Sequence, residues 1–267
     1  MNVIALSYFD LALAAGLVLL LGLLALVLEL GLTRQLLVAG LRTAVQLTLV
    51  GLVLKLLFAN ANLIWVAAMS GVMLLVAGRE VMARQKRRFA GAWGFALGTG
   101  AMFVSSFAVT ILALTTLIGT DPWYEPQYAV PLLGMLLGNT MNGVALGLDR
   151  LTSAAWSQRA VIEARLALGQ TAVEAVTTLR RDSIRVGLVT MINAMAAAGI
   201  VALPGMMTGQ ILAGTPPVEA VKYQILIMFL ITAGTGFGTV LAVWLGARRL
   251  FDERERLRLD RLVSADS

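Results

Sequence analysis

Glu163–Leu188, EARLALGQTAVEAVTTLRRDSIRVGL, is the one long polar segment inside an otherwise apolar chain. Val161, Ala164, Leu168, Ala172, Val176 and Leu179 recur every three or four residues, the spacing of a single stripe along a helix. Glu163, Gln170, Glu174, Thr177 and Arg181 fall on a different face. The spacing predicts an amphipathic helix pair, bent at Gly169 and set between two membrane spans. An apolar stripe outside a span needs a cover, and what supplies that cover is the functional question.

The rest of the chain defines the solvent. Of 267 residues, 59% are hydrophobic, and the mean hydropathy is +0.85. A span needs roughly 20 apolar residues. Apolar runs occur near residues 8–28, 36–58, 63–78, 92–118, 130–148, 187–203 and 223–247. The expected fold is therefore an all-α integral membrane protein of about seven transmembrane helices. It forms a single permease domain over residues 1–267, with a cytoplasmic segment at about 150–186 between spans five and six. The first run follows an uncharged start and has no small-residue cleavage site, so it reads as a retained span.

Charge placement sets the orientation. Eighteen of the 21 Lys and Arg residues fall in the loops on one side, together with the stretch after residue 247. Only Lys222 falls on the other side, and Arg42 and Lys55 lie within the second run. Positive residues collect on the cytoplasmic side, which predicts N-out and C-in. The same placement argues against nucleic acid as the reason for the net charge of +6. Asp121–Pro126 with Tyr128 reads as an interfacial turn on the outer side, and Arg248–Arg261, with alternating charges, as a short solvated helix.

The chain contains no Cys and no His. That removes disulfides, thiol chemistry, haem attachment and the usual zinc sites, and leaves no legible metal-ligand set. No phosphate-binding G-x-x-x-x-G-K-[ST] loop occurs, so ATP-driven work requires another chain.

Polar residues inside spans are costly and become functional suspects. Arg42 and Gln46 share a face of the second run, where the bland reading is that Arg42 snorkels to the interface. Asn139 and Asn142 share a face of the fifth run, where helix–helix hydrogen bonding competes with a substrate site. Gly134, Gly138, Gly143 and Gly147 read there as close-packing positions, as do Gly94, Gly98, Gly234 and Gly238 elsewhere. Met191 and Asn193 lie in the sixth run. It is followed by Leu203-Pro204-Gly205-Met206-Met207-Thr208-Gly209-Gln210, which cannot continue one undisturbed helix and reads as a broken or re-entrant element. The candidate translocation path is Arg42, Gln46, Asn139, Asn142, Met191, Asn193, Met206, Met207 and Gln210. Methionine suits soft metals but also fills gaps in cores.

Glu163-Ala164-Arg165-x-x-x-Gly169 resembles the cytoplasmic EAA-x-x-x-G element of ABC permeases, with Arg165 in place of the second alanine and without the downstream Leu-Pro. A wider ordered set runs from Pro131–Met135 and Gly138-Asn139 through Leu168-Gly169 and Arg181–Arg185 to Leu203–Gly214 and Pro217–Gln224. It resembles the FetB-type permeases, which include bacterial iron exporters and plant aluminium-tolerance transporters. The resemblance implies a multi-pass protein of the bacterial inner membrane. It implies a homodimeric permease paired with two ABC ATP-binding subunits that carry ATP and magnesium, this chain holding no cofactor and being no enzyme. It also implies export, with iron or another metal as cargo. Under it, Glu163, Ala164, Arg165, Leu168, Gly169, Arg181, Asp182 and Arg185 become the coupling residues.

Three other readings compete. The segment can lie flat on the membrane as an interfacial helix, although Glu163, Glu174 and Asp182 make it less basic than such helices prefer. The protein can be a gradient-driven transporter with Arg42, Asp149 and Glu29 as relays, although no repeated halves are visible. A membrane-embedded enzyme is disfavoured by the lack of His, Cys and paired carboxylates. An organic cargo would suit the Met-rich, apolar lining as well as a metal does.

Overall fold

The computed structural model describes residues 7–59 and 61–264. The chain divides into two compact units, one within residues 1–62 with 212–215, the other formed by 63–211 and 216–267.

The first unit is a helical hairpin, α1 (Tyr8–Val27) and α2 (Thr33–Ala59). Ser7 caps α1 with Asp10 in a reciprocal capping box. The helices approach at Gly22, whose carbonyl accepts the Thr33 hydroxyl at 3.1 Å. Almost every other apolar side chain of the pair is exposed, the expected state of helices whose solvent is lipid.

The second unit is built around α5 (Pro126–Ser157). Leu133, Leu137, Val144, Leu148, Leu151 and Ala155 are all buried along it at helical spacing. Packed on α5 are α3 (Leu63–Ala83), α4 (Ala92–Ile118), α8 (Thr177–Ala197) and α10 (Pro217–Arg249). Two π-helical turns, Phe103–Phe107 and Ala113–Ile118, interrupt α4. Glycines set the closest contacts. A Cβ on Gly187 would lie 2.6 Å from the Gly143 carbonyl oxygen, and one on Gly143 would lie 2.7 Å from Thr235 and Thr239. Gly94, Gly98, Gly234 and Gly238 are likewise crowded, whereas Gly138 faces open space.

Six helices are long and apolar enough to cross a membrane: α1, α2, α3, α4, α5 and α10. The seventh expected span, 187–203, is not one of them. Its helical part belongs to α8, whose first half carries Arg180, Arg181, Asp182 and Arg185. The stretch beyond Arg185 ends at Ala197, roughly 18 Å at 1.5 Å per residue against a hydrocarbon core of about 30 Å. A turn follows, with Gly199 at φ +82°, and then the short α9 (Gly205–Leu212). The break expected at Leu203–Gln210 lies earlier, between Ala197 and Gly205, and Gly205–Leu212 itself runs as one unbroken helix through Gly209.

The stretch after α10 also differs from expectation. It is no solvated helix: it folds back through a 3-10 turn (Leu259–Arg261) into β2 (Leu262–Ser264), which pairs antiparallel with β1 (Arg87–Phe89), Phe89 opposite Leu262. Its alternating charges hide an apolar set, with Leu250, Phe251 and Leu262 buried.

Gly187→Val should therefore lower stability by about 1–3 kcal/mol through overpacking, read as a lower unfolding temperature in detergent. Gly138→Ala should leave that temperature unchanged.

Candidate functional site

Two features gather the polar groups of the second unit. The first is a cavity of about 290 Å³ between α5, α8 and the end of α3. One face of α5 supplies Asn139, Asn142, Ala145, Leu146 and Asp149, α8 supplies Thr190, Met191 and Ala194, and Arg84 enters from α3. Arg84 Nη1 donates to Asn142 Oδ1, and its Nε lies 3.9 Å from the Glu80 carboxylate. Asp149 Oδ1 accepts from the Lys86 backbone N–H at 2.7 Å. Asn139 Nδ2 donates to Met135 O of its own helix at 2.8 Å, so of the two asparagines Asn142 is the one hydrogen-bonded outside α5 among the described residues. The lining combines one guanidinium, one carboxylate, two carboxamides and a thioether. It suits a polar cargo held by directed hydrogen bonds. Among the described residues, no group of three or more His, Cys, Asp or Glu gathers that could cage a hard metal ion.

Of the nine path candidates, Asn139, Asn142 and Met191 come together here. Asn193 is exposed on another face of α8. Arg42 and Gln46 lie on α2 of the first unit and are exposed there. Met206, Met207 and Gln210 lie on α9, half-buried, and Met207 lines a second cavity of about 470 Å³. Arg84 and Thr190 were missed. Arg84 read as one of several loop cations, although its i,i+4 spacing from Glu80 already placed it on the last turn of a helix.

The second feature is a platform at the Arg-rich end of the unit, where three chain segments meet. The Thr152 hydroxyl donates to Arg87 O at 2.7 Å, and Arg87 stacks 3.9 Å over Trp156. Arg261 Nη1 donates to Arg249 O and Phe251 O at 2.8 and 3.0 Å. The 163–188 segment forms α6 (Arg159–Ala167), a left-handed Gly169 at φ +88°, the single turn α7 (Ala172–Ala175), and then α8. Thr171 and Glu174 form a capping box that holds the Glu174 carboxyl below its ordinary range. Arg165 Nη1 donates to Ala175 O at 2.9 Å across the bend. The Glu255 carboxylate accepts from Ala172 N at 3.2 Å, tying the stretch after α10 to the segment.

The single apolar stripe expected of this segment is not what forms. Val176 and Leu179 are buried, together with Ile162 and Ala175, which lay outside the proposed stripe. Ala164 is exposed, and Val161 and Leu168 are 49% and 85% exposed. The bend at Gly169 rotates the two helical phases apart, so one period cannot describe both. Glu163 and Arg181 are exposed, and Asp182 pairs with Arg185 at 3.7 Å. Beside the bend lies an open groove of about 510 Å³ lined by Glu163, Leu166, Gly169 and Gln170 with Arg254, Glu255, Arg256 and Leu257.

Comparison with known proteins adds the family context. The model of "Uncharacterised protein family (UPF0014)" matches residues 8–251. A UPF0014 membrane protein of Synechocystis is 40% identical over 232 residues, covering 85% of this chain and 87% of the relative. The Escherichia coli "Probable iron export permease protein FetB" is 33% identical, covering 83% of each chain. The Arabidopsis thaliana "Protein ALUMINUM SENSITIVE 3" is 27% identical, covering 76% of this chain and 72% of the relative. No solved structure matches.

Two outcomes are expected. Arg84 is 46% exposed, so Arg84→Ala should cost under about 1 kcal/mol of stability while lowering transport about tenfold or more. A lost fold with full transport per folded molecule would make the cavity structural. The second concerns Asp252, whose carboxyl is pulled down to about 2, first by the Arg256 side-chain hydrogen bond and then by the Arg256 backbone N–H. A depressed folded pKa gives a contribution that is complete above the unfolded value of about 3.9 and lost as pH falls towards 2. Limited acid proteolysis should open residues 249–264 only below about pH 4.

Proposed function

The chain belongs to the UPF0014 membrane protein family, and on that premise we propose that it is the membrane-spanning subunit of an ABC exporter for iron or another metal. ATP is bound and hydrolysed by a separate subunit, and two copies of each assemble. This chain contributes no catalysis. The side that carries the Arg-rich platform is the cytoplasmic one, by the bias of the charges, in the bacterial inner membrane.

The observation that carries the reading is the bend at Gly169. Leu168 stands 85% exposed on a polar platform, next to an open groove, with Val161 and Val173 also exposed. An exposed leucine on a rigid, hydrogen-bonded mount is the form of a knob that fits a partner's pocket. Glu163, Arg181 and Arg185 around it supply register rather than affinity. Movement of a docked ATPase then displaces α6 and α7, and with them α5 and α8, which line the cavity. The relay required of a gradient-driven transporter is less supported, since Asp149 is already held by the Lys86 N–H.

The test is co-expression with the ATP-binding subunit encoded beside this chain, purified through a tag on this chain alone. Retained ATPase with metal-stimulated hydrolysis is the expected result. An ATPase that never co-purifies in mild detergent, together with transport by the chain alone in liposomes, would overturn the reading. In the assembled complex, Gly169→Val forces a β-branched residue to φ +88°, a strain of about 1–3 kcal/mol. Hydrolysis should then persist while transport falls about tenfold or more.

A further inference from the structure

Five of the 12 methionines, Met191, Met195, Met206, Met207 and Met228, fall within residues 191–228. Three of them converge. Met195 of α8, Met207 of α9 and Met228 of α10 line one cavity of about 470 Å³, at the end of α8 and α10 remote from the Arg-rich platform. A gap-filling methionine disappears into a packed core. These three are only half-buried and border open space, and each comes from a different element.

Their mounting is specific. Gln224, 7% exposed, accepts the Met207 backbone N–H on Oε1 at 3.3 Å and so pins the first turn of α9. The Thr232 hydroxyl lies 3.2 Å from Met195 Sδ, so a side chain of α10 positions that thioether of α8; its 2.8 Å contact to Met228 O is a back-bond within α10. One helical turn from Met195, Met191 lines the polar cavity, so thioethers follow α8 from one cavity to the other.

We propose that Met195, Met207 and Met228 form a thioether subsite for a soft monovalent cation of the Cu(I) or Ag(I) type. Thioethers are soft, neutral donors that select such ions over hard ones. A neutral donor set also suits a single charge, because the cost of burying an ion rises steeply with its charge. The chain has no Cys or His, so thioethers are its only soft side-chain donors. The subsite's place on a transport route rests on the metal-export reading above; the binding itself does not.

The test is equilibrium dialysis of the purified, detergent-solubilised chain against Ag⁺ in chloride-free buffer, with no ATPase present. Saturable uptake of one tight Ag⁺ per chain is expected. The near-isosteric triple variant Met195→Leu, Met207→Leu, Met228→Leu should bind at least about tenfold more weakly. The control Met135→Leu, Met141→Leu should match the parent. Should the triple variant fail to fold, each single variant should still weaken binding several-fold at an unchanged unfolding temperature. No saturable site in the parent, or equal affinity in the folded triple or single variants, would overturn the proposal. So would an apolar organic probe that fills the cavity with affinity indifferent to the three sulfurs while Ag⁺ does not bind. Failure of ATPase co-purification would count against the exporter reading and leave this result standing.

Discussion

The second unit depends on how closely α5 can approach α8 and α10. In lipid, no hydrophobic force drives helices together, so the contact must come from backbone proximity and van der Waals packing. Gly143 and Gly187 provide it, leaving the Gly143 carbonyl within 2.6 Å of where a Gly187 Cβ would stand. Thr239 fills the space beside both. This seam brings Asn139, Asn142 and Asp149 opposite Thr190 and Met191. Without the approach there is no cavity, because the two faces would be held apart by the side chains between them. Nearby, the buried hydroxyls of Ser105, Thr235 and Thr239 have no hydrogen-bond partner among the described residues. Each such group costs about 1–3 kcal/mol. The seam is thus tight in shape but incomplete in polarity, and so less firmly favoured over other arrangements than a wholly apolar one.

At the other extreme of polarity, the platform joins segments far apart in sequence. β1 lies between α3 and α4, β2 follows α10, and the bent segment connects α5 to α8. The ladder, the Arg261 bonds and the Glu255–Ala172 contact bind all three. The bent segment is therefore bonded into the same platform as the ends of α3, α4 and α10. Long side chains add to this, since Arg87 and Arg249 lay their guanidinium groups over Trp156 and Trp93. The Arg-rich end is consequently one bonded unit rather than a set of separate loops.

Much of this was legible in the sequence. Apolar runs gave the six long helices because length and hydropathy are local properties, and Gly169 announced the bend because left-handed backbone favours glycine. The glycines of α5 announced close packing, although only the structure tells which of them pack: Gly143 is crowded and Gly138 open. Other features were illegible for physical reasons. The run at 187–203 looks like a span only if the charged turn before it is ignored, and α8 is continuous through both. Phe251 and Leu262 are separated by eight charged residues among Asp252–Arg261 and carry no period that would flag burial. Leu262 pairs with a strand more than 170 residues earlier, and Phe251 bridges back to Leu257. Arg84 was lost among its neighbours because cations near a helix end look alike until one of them turns inward.

The two cavities differ in the chemistry they offer along α8. Near the platform, Arg84 and Asp149 give a polar chamber of mixed charge. A bare cation there meets a guanidinium, so a cation that arrives with its own anionic or neutral ligands is better accommodated than a naked one. At the far end, the lining is apolar apart from Gln224 and the thioethers, which can exchange with a soft ion's ligands but cannot replace the water shell of a hard one. Met191 and Met195 stand one turn apart between these environments. The break at residues 198–204 lies at the boundary of the second chamber, where α8 has ended and α9 has only begun. α8 is therefore interrupted where the lining changes from polar to apolar. The short α9 there is held through Gln224 and flanked by Gly199 and Gly214 at positive φ.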